Sequence, residues 1–216
     1  ANAESRGLEL AAGLALPAAL GLVVLSEPIV RVLFEHGAFT AADTKATALA
    51  LGNLALGLPA YVLLKTLSPA FFARGNTMIP LLATLKGIAV AIVLAVIFGR
   101  MFGIGGIAAA VALGAWSNAA SLARSTAATF GFSMDAEARR RLPRIVLAAL
   151  LMGGTLWLAV QLLPTMAGAH TILQAARLAI LIAFGIAVYG ICLLSFRVID
   201  WRSMRTALMR SGDLRP

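Results

Sequence analysis

Acidic residues are almost missing from the interior of this sequence. Only nine of its 216 residues are Asp or Glu. Glu4, Glu9, Glu27, Glu35, Asp43, Asp135, Glu137, Asp200 and Asp213 all fall at the ends of apolar runs or between them. Proton-driven pumps place a carboxylate inside the membrane, so any ion-coupling carboxylate is expected outside this sequence. Cysteine is as scarce. Cys192 stands alone inside an apolar run, which excludes an intrachain disulfide framework and a multi-cysteine zinc site and suits a small packing residue. The two histidines, His36 and His170, lie far apart in loops without metal-ligand spacing, and both read as solvated loop residues. No nucleophile stands beside a base, no carboxylates are paired, and no Gly-rich phosphate loop opens a helix after a strand. The chain therefore does not read as an enzyme, and no cofactor or metal is expected.

Charge of either sign is low, at 12% of residues, whereas apolar residues make up 61% and the mean hydropathy is +0.93. Soluble domains carry about 25% charge and about 45–50% apolar residues, so lipid is the expected solvent. A net charge of +9 could suggest nucleic acid. The basic residues sit in the gaps between apolar runs, however, with no basic face and no interleaved aromatics. They read as membrane-flanking charge, with membrane lipids as partners and no nucleic acid.

Six apolar runs are long enough to cross a bilayer, each needing roughly 20 residues: Gly7–Leu25, Ala46–Phe72, Ile79–Phe98, Gly105–Phe130, Ile145–Leu163 and about Ile172–Phe196. None alternates polar and apolar positions as a barrel strand does, so helices are expected. The fold class is all-α integral membrane with about six transmembrane helices. The opening Ala-Asn-Ala-Glu-Ser-Arg-Gly is neither basic nor apolar enough for a signal peptide, and the chain reads as the continuation of something longer.

The connections carry stop signals. Ser26-Glu27-Pro28 is expected to end the first run, with Pro28 in the first turn of a short helix. Thr40-Ala-Ala-Asp43 opens the second run, either as a capping-box variant or with Asp43 as N-cap. Gly75-Asn76 marks a turn, and Gly103-Ile-Gly-Gly106 a tight hairpin between spans three and four. Span two is longer than a crossing requires and contains Gly57-Leu-Pro59 and Ser68-Pro69. It reads as a helix kinked twice, either a moving element or a tilted structural helix.

Lys and Arg set the orientation. If Ala1 starts in the cytoplasm, that side holds eleven basic residues: Arg6, Arg74, Arg139, Arg140, Arg141, Arg144, Arg197, Arg202, Arg205, Arg210 and Arg215. The other side holds four, Arg31, Lys45, Arg100 and Arg177. The positive-inside rule then places both termini in the cytoplasm.

Some polar residues enter the spans. Lys65 has apolar stretches on both sides, and a charge at the centre of a bilayer helix costs at least ~2.5–3.5 kcal/mol on insertion scales. It either faces a cavity or partner, or snorkels to the headgroups. Lys86 and Arg124 lie nearer a span end and read as snorkelling. Asn53 and Ser117-Asn118-Ala-Ala-Ser121 either bond between helices or line a polar passage. Gly52, Gly57, Gly87 and Gly114 permit close helix approach by the same principle. Spans five and six are nearly uniformly apolar, fit for lipid contact or for a groove holding an acyl or isoprenoid chain.

After span one, Arg31-Val-Leu-Phe34-Glu-His-Gly37-Ala-Phe39-Thr40-Ala-Ala-Asp43-Thr44 resembles the RxLFxxGxFTxxDT segment of the MurJ/MviN family. These are lipid II flippases of the multidrug/oligosaccharidyl-lipid/polysaccharide (MOP) exporter superfamily. Span two is similar to the family again through Gly57-Leu-Pro59, Leu64-Lys65 and Leu67-Ser-Pro69-Ala-Phe71-Phe72-Ala-Arg74. Asn76-Thr77 and Pro80 follow its turn into the next helix, and span four resembles it through Gly105-Gly106 and Ser117-Asn118-Ala119. The last two spans match by hydrophobicity and placement only.

The resemblance implies a partial MATE-like/MOP flippase fold, roughly the ninth to fourteenth of fourteen helices. In the family two six-helix lobes enclose a cationic cavity, and the last two helices line a groove for the undecaprenyl tail. Alternating access moves lipid II, the pyrophosphate-linked disaccharide pentapeptide, from the cytoplasmic to the periplasmic leaflet of the bacterial inner membrane. Residues 1–132 would then be four helices of the C-terminal transport lobe, and 133–144 a basic cytoplasmic loop. Residues 145–197 would be the two groove helices, and 198–216 a basic cytoplasmic tail. The implied partners are lipid II and the missing N-terminal lobe. The family's substrate-binding arginines, mainly in helices one, two and eight, have no counterpart in this sequence. Glu9 stands near a position where some members carry arginine, and that role is not transferred. Lys65 is the polar cavity position best matched, and Asn53 and Asn118 follow it as substrate-binding candidates. Competing expectations are a drug or polysaccharide-precursor exporter of the same superfamily, or a noncatalytic membrane partner subunit.

Overall fold

The computed structural model describes residues 2–130, 136–163 and 171–196, and every regular element among them is a helix. These are α1 (Asn2–Phe34), α2 (Ala41–Ala55), α3 (Leu58–Phe72), α4 (Met78–Phe130), α5 (Ala136–Leu162) and α6 (Thr171–Ser195). Five stretches are long and apolar enough to cross a bilayer, with α2 and α3 together forming one and most of α4 another. His170 and the tail 198–216 lie outside the described residues.

The hairpin expected at Gly103 is present inside α4. Gly103 has φ 60° and ψ −139°, a conformation that glycine reaches without the clash a Cβ would bring. It folds α4 into two antiparallel limbs, so this one stretch supplies two crossings and the described residues make six. The limbs touch through backbone. A Cβ on Gly87 would lie 2.7 Å from Asn118 Cβ, one on Gly114 2.6 Å from Ala91 Cβ, and one on Gly106 2.2 Å from the Phe98 carbonyl oxygen. Lipid tails are as apolar as leucine, so helices in a membrane are held by such close packing and by interhelical hydrogen bonds.

Span two is interrupted at the expected Gly57-Leu-Pro59 position by a single turn, with Leu56 and Gly57 still at right-handed helical angles and Ala41–Phe72 still one span. Gly57 presses against Ala112 on the second limb of α4, where a Cβ would come within 3.2 Å of Ala112 Cα. Pro59 lacks the N–H that would bond the Ala55 carbonyl. The break frees the Leu56 carbonyl, which accepts the Trp116 indole N–H at 2.9 Å. Ser68-Pro69, by contrast, passes within α3 without ending it.

Two expectations are corrected. Ser26-Glu27-Pro28 does not end the first helix, and α1 continues through both Pro17 and Pro28 to Phe34. Pro28 deprives the Val24 carbonyl of its amide partner. Next to it the Ser26 hydroxyl donates to the Val23 carbonyl at 3.1 Å. Beyond the proline, ion pairs from Arg31 to Glu27 and to Glu35 tie the last turns together. The basic segment expected as a loop over 133–144 is helical from Ala136. Its Ala-Glu-Ala-Arg-Arg-Arg-Leu opening consists of strong helix formers.

The segment after α1 is a built corner. Gly37 turns the chain at φ 62°, and the Phe34 and Phe39 rings pack with centroids 6.1 Å apart. Thr40 and Asp43 form a reciprocal capping box on α2, one of the two starts anticipated. Buried Thr44 donates to Glu35 Oε2 at 2.8 Å.

α1 is central. It packs against α2 and α3 on one side and α5 and α6 on the other, while α4 covers α2 and α3. The buried positions are dominated by alanine, including Ala60, Ala110 and Ala148, with Phe71, Leu122 and Leu156 as the larger fillers. The outer surface bears long apolar side chains such as Leu14, Ile92 and Ile186, each more than half exposed. Water does not tolerate so large an apolar surface.

Because the Phe98 carbonyl blocks any Cβ at position 106, Gly106→Ala is expected to destabilise the fold by ~1–3 kcal/mol. Gly154→Ala, where a Cβ meets nothing within 4 Å, is expected to be neutral. Thermal unfolding in detergent measures both, and an unchanged midpoint for Gly106→Ala would refute the packing.

Candidate functional site

The three residues singled out in the sequence occupy three different places. Lys65 is exposed on α3, in line with exposed Tyr61, Pro69 and Phe72. Its neighbour Leu64 turns the other way, onto Ala60, Ala115 and Ala119. Among the described residues Lys65 has no ion-pair or hydrogen-bond partner. It therefore presents its charge on the side of α3 away from α4.

Asn53 and Asn118 are engaged within the bundle. Asn53 Nδ2 donates to the Gly105 carbonyl at 3.1 Å, joining α2 to the tip of the α4 hairpin. Asn118 Nδ2 reaches Thr84 Oγ1 at 3.4 Å between the two limbs, while its Oδ1 is buried without a partner. Gly105 and Asn118 are separated by roughly 20 Å of helix at 1.5 Å per residue, so the two amides do not share a site. Of the two readings left open, bonding between helices is the one their geometry displays.

Lys86 and Arg124, read from sequence as separate snorkelling residues, line one open groove of about 320 Å³ with Ser121 and Ser125. The fold of α4 about Gly103 brings them there. Lys86 lies seventeen residues before the turn and Arg124 twenty-one after it, about one helical turn apart in antiparallel register. That register was open to sequence reasoning once the hairpin was placed.

Two apolar cavities flank α1. One, of about 460 Å³, lies between Leu16 and Leu20 of α1, Pro59 of α3, Ala112 and Trp116 of α4 and Ala149 of α5. Its polar edge consists of Asn53 and Trp116, whose N–H groups already serve backbone carbonyls. The other, of about 470 Å³, is a groove between α1, α5 and α6. Gly13, Pro17, Gly21, Leu25 and Ile29 form its α1 wall at four-residue spacing, which puts them on one face of the helix. Ile182, Gly185, Ile186 and Tyr189 form the α6 wall. The Tyr189 hydroxyl donates to the Gly13 carbonyl at 2.7 Å and closes one end. A buried cluster of Leu25, Leu156 and Leu181 seals the other.

Ion pairs sit at the ends of the bundle. Arg141 of α5 meets Glu9 of α1 at 3.5 Å, and Arg144 donates to the Phe196 carbonyl at 3.4 Å. At the opposite end lie the Arg31 pairs and the Arg177 bond to the Leu163 carbonyl at 2.7 Å. Among the described residues no His, Cys, Asp and Glu side chains gather as a metal site.

Residues 2–176 match the family model for the lipid II flippase MurJ. The chain belongs to the MurJ family. A probable lipid II flippase MurJ of Rhizobium meliloti is 38% identical over 191 residues, which is 88% of this chain and 36% of that protein. A counterpart from Rhizobium tropici is 34% identical over 212 residues, 97% of this chain and 40% of that protein. A solved lipid II flippase MurJ in an inward closed conformation superposes with a TM-score of 0.72 at 29% identity, over 88% of this chain and 38% of that one. The chain thus spans about two fifths of the length of these MurJ proteins. With its apolar helices and this family, it is a multi-pass membrane protein.

Asn53→Leu removes the bond to Gly105 and is expected to cost about 0.6–1.7 kcal/mol, the range for interhelical hydrogen bonds in membranes. Lys65→Leu is expected to leave the unfolding midpoint unchanged. Equal losses in the two variants, read by thermal unfolding, would contradict this division.

Proposed function

We propose that this chain is the part of a flippase that carries lipid II from the cytoplasmic to the periplasmic leaflet by alternating access. The observation that supports this most is the MurJ family match over residues 2–176, joined to the MurJ-like arrangement of the helices. The physical division of labour agrees with it. A pyrophosphate-linked sugar-peptide cannot cross ~30 Å of hydrocarbon unaided, so it needs a wet cationic cavity, whereas its isoprenoid tail can stay in lipid or in an apolar groove. The α1–α5–α6 groove is of the second kind.

In this reading Lys65 is the cation that the chain turns toward the substrate. Asn53 and Asn118 contribute less directly, by fixing the helices that border the same cavity. The remaining cavity wall is supplied by an N-terminal lobe. The membrane is the bacterial cytoplasmic membrane. The end carrying Glu9, Arg141 and Arg144 faces the cytoplasm with both termini, and the α1–α2 corner faces the periplasm. An exporter of drugs or other polysaccharide precursors would share the bundle but has no need of the Arg31–Thr44 corner sequence.

Proteoliposomes holding the chain with any sequence its gene encodes before Ala1 should translocate a fluorescent lipid II analogue. Lys65→Ala should slow this about tenfold, the value of one charge-assisted contact, at an unchanged unfolding midpoint, and Lys65→Arg should restore it. Wild-type rates in Lys65→Ala would remove Lys65 from the substrate path. Residues 1–216 alone should not translocate the analogue, and transport by them would overturn the shared-cavity reading.

A further inference from the structure

Lys86 and Arg124 stand on different limbs of the α4 hairpin, yet both line one open groove of about 320 Å³ with Ser121 and Ser125. None of the residues lining it is acidic. Among the described residues neither cation has an ion-pair or hydrogen-bond partner. Two like charges brought to one groove repel, and more strongly where hydrocarbon lowers the dielectric. The limbs do not need them for packing, since they meet through Gly87, Ala91, Gly114 and Asn118.

Depth places the groove at a membrane surface. Lys86 precedes the Gly103 turn by seventeen residues and Arg124 follows it by twenty-one, about 26 and 32 Å of helix at 1.5 Å per residue. The hydrocarbon core is ~30 Å thick, so with the turn at one face both cations reach the phosphate level of the other. That is the end of the bundle where Glu9 meets Arg141.

The groove also looks outward. The second limb turns Ala115, Ala119 and Leu122 toward α3, and Arg124 lies about 200° round the helix from Leu122. On the first limb Lys86 shares a face with Leu82 and Val93, each more than half exposed. Lys65 projects from the far side of α3, so the two cationic places lie on opposite sides of the α3–α4 layer. An exposed apolar face at membrane depth meets lipid chains, and a cation at its edge meets their phosphates.

We infer that Lys86 and Arg124 bind the phosphate of one anionic glycerophospholipid of the surrounding leaflet, which bridges the two limbs at the open end of the hairpin. The planar fork of Arg124 suits two phosphate oxygens, and Lys86 adds a point charge. The Ser121 and Ser125 hydroxyls are donors for the remaining oxygens. The groove has the volume of about ten waters at ~30 Å³ each, enough for a phosphate and its glycerol, and the acyl chains lie along the Leu82–Val93 face. Basic pockets between transmembrane helices recognise anionic headgroups in this way. The site is independent of what the protein transports.

The test is lipid binding to the purified protein, with any sequence encoded before Ala1, by native mass spectrometry. Phosphatidylglycerol should bind at least about tenfold more tightly than phosphatidylcholine, as a charge-assisted contact implies. The double variant Lys86→Gln/Arg124→Gln should lose that preference, whereas Lys86→Arg should keep it. Arg100→Gln, an exposed cation near the Gly103 turn, should also keep it. Both cations of the groove are exposed, so the double variant should unfold at the wild-type midpoint without lipid. Added phosphatidylglycerol should then raise the midpoint of the wild type alone. An undiminished preference in the double variant overturns the site. Equal loss in Arg100→Gln does so too, by reducing the effect to general surface charge. A polyprenyl diphosphate that displaces phosphatidylglycerol through Lys86 and Arg124 would overturn the assignment of the occupant.

Discussion

In hydrocarbon the hydrophobic effect no longer draws helices together, so every contact in this bundle depends on how closely backbones can approach. The structure meets that constraint with glycine and alanine. Gly57 meets Ala112, Gly87 meets Asn118, and Gly114 meets Ala91, each at a distance where a Cβ would crowd or collide. Hydrogen bonds occupy the same seams. The Asn53 amide ends on the Gly105 carbonyl at the tip of the α4 hairpin, and the Trp116 indole on the Leu56 carbonyl at the α2–α3 break. Irregular backbone at membrane depth is tolerated where protein groups satisfy it, as Trp116 does at that break.

This constraint also sorts the residues that identify the family from those that could touch a substrate. The Arg31–Thr44 string, which carried the resemblance most strongly, is architectural. Its arginine pairs with Glu27 and Glu35, its threonines cap α2 and bind Glu35, its phenylalanines pack against each other at a tilt, and its glycine turns the corner. Lys65 is the opposite case. It is exposed on α3 and has no ion-pair or hydrogen-bond partner among the described residues.

The sequence made some features legible for physical reasons. Run length and the lack of alternation gave helices, because lipid demands internally satisfied backbone. Thr40 and Asp43 gave a helix start, because capping is local chemistry. Gly103 gave a hairpin, because it stands between two spans too long to be one. Proline was less informative. Pro28 reads as a stop, yet α1 continues through it, since the Arg31 pairs and packing against α2 hold the last turns. Pro59 reads as a kink, and the helix is interrupted there for one turn, where Gly57 lies against Ala112. Whether a proline bends, breaks or does nothing is decided by the neighbouring helix, and a single span does not reveal its neighbour. The groove that Lys86 and Arg124 share is, by contrast, legible once Gly103 is read as a hairpin, since the turn fixes the register of the two limbs.

The position of α1 bears on how such a bundle could move. An apolar pair of helices might be expected to form a separate unit behind a transport lobe, but α1 is shared by both sides. Its α5–α6 face carries Gly13, Pro17, Gly21 and Leu25, while its other face packs on α2 and α3. A shift of α2 and α3 is therefore transmitted to the groove through one helix with two prolines, at each of which a backbone hydrogen bond is already missing. One end is tied to α5 by Glu9–Arg141, whereas the Arg31 pairs stay within the last turns of α1 and the residue after it. A bend of α1 at Pro17 or Pro28 breaks no further backbone hydrogen bond at those residues, and it alters the width of the groove that this face of the helix lines.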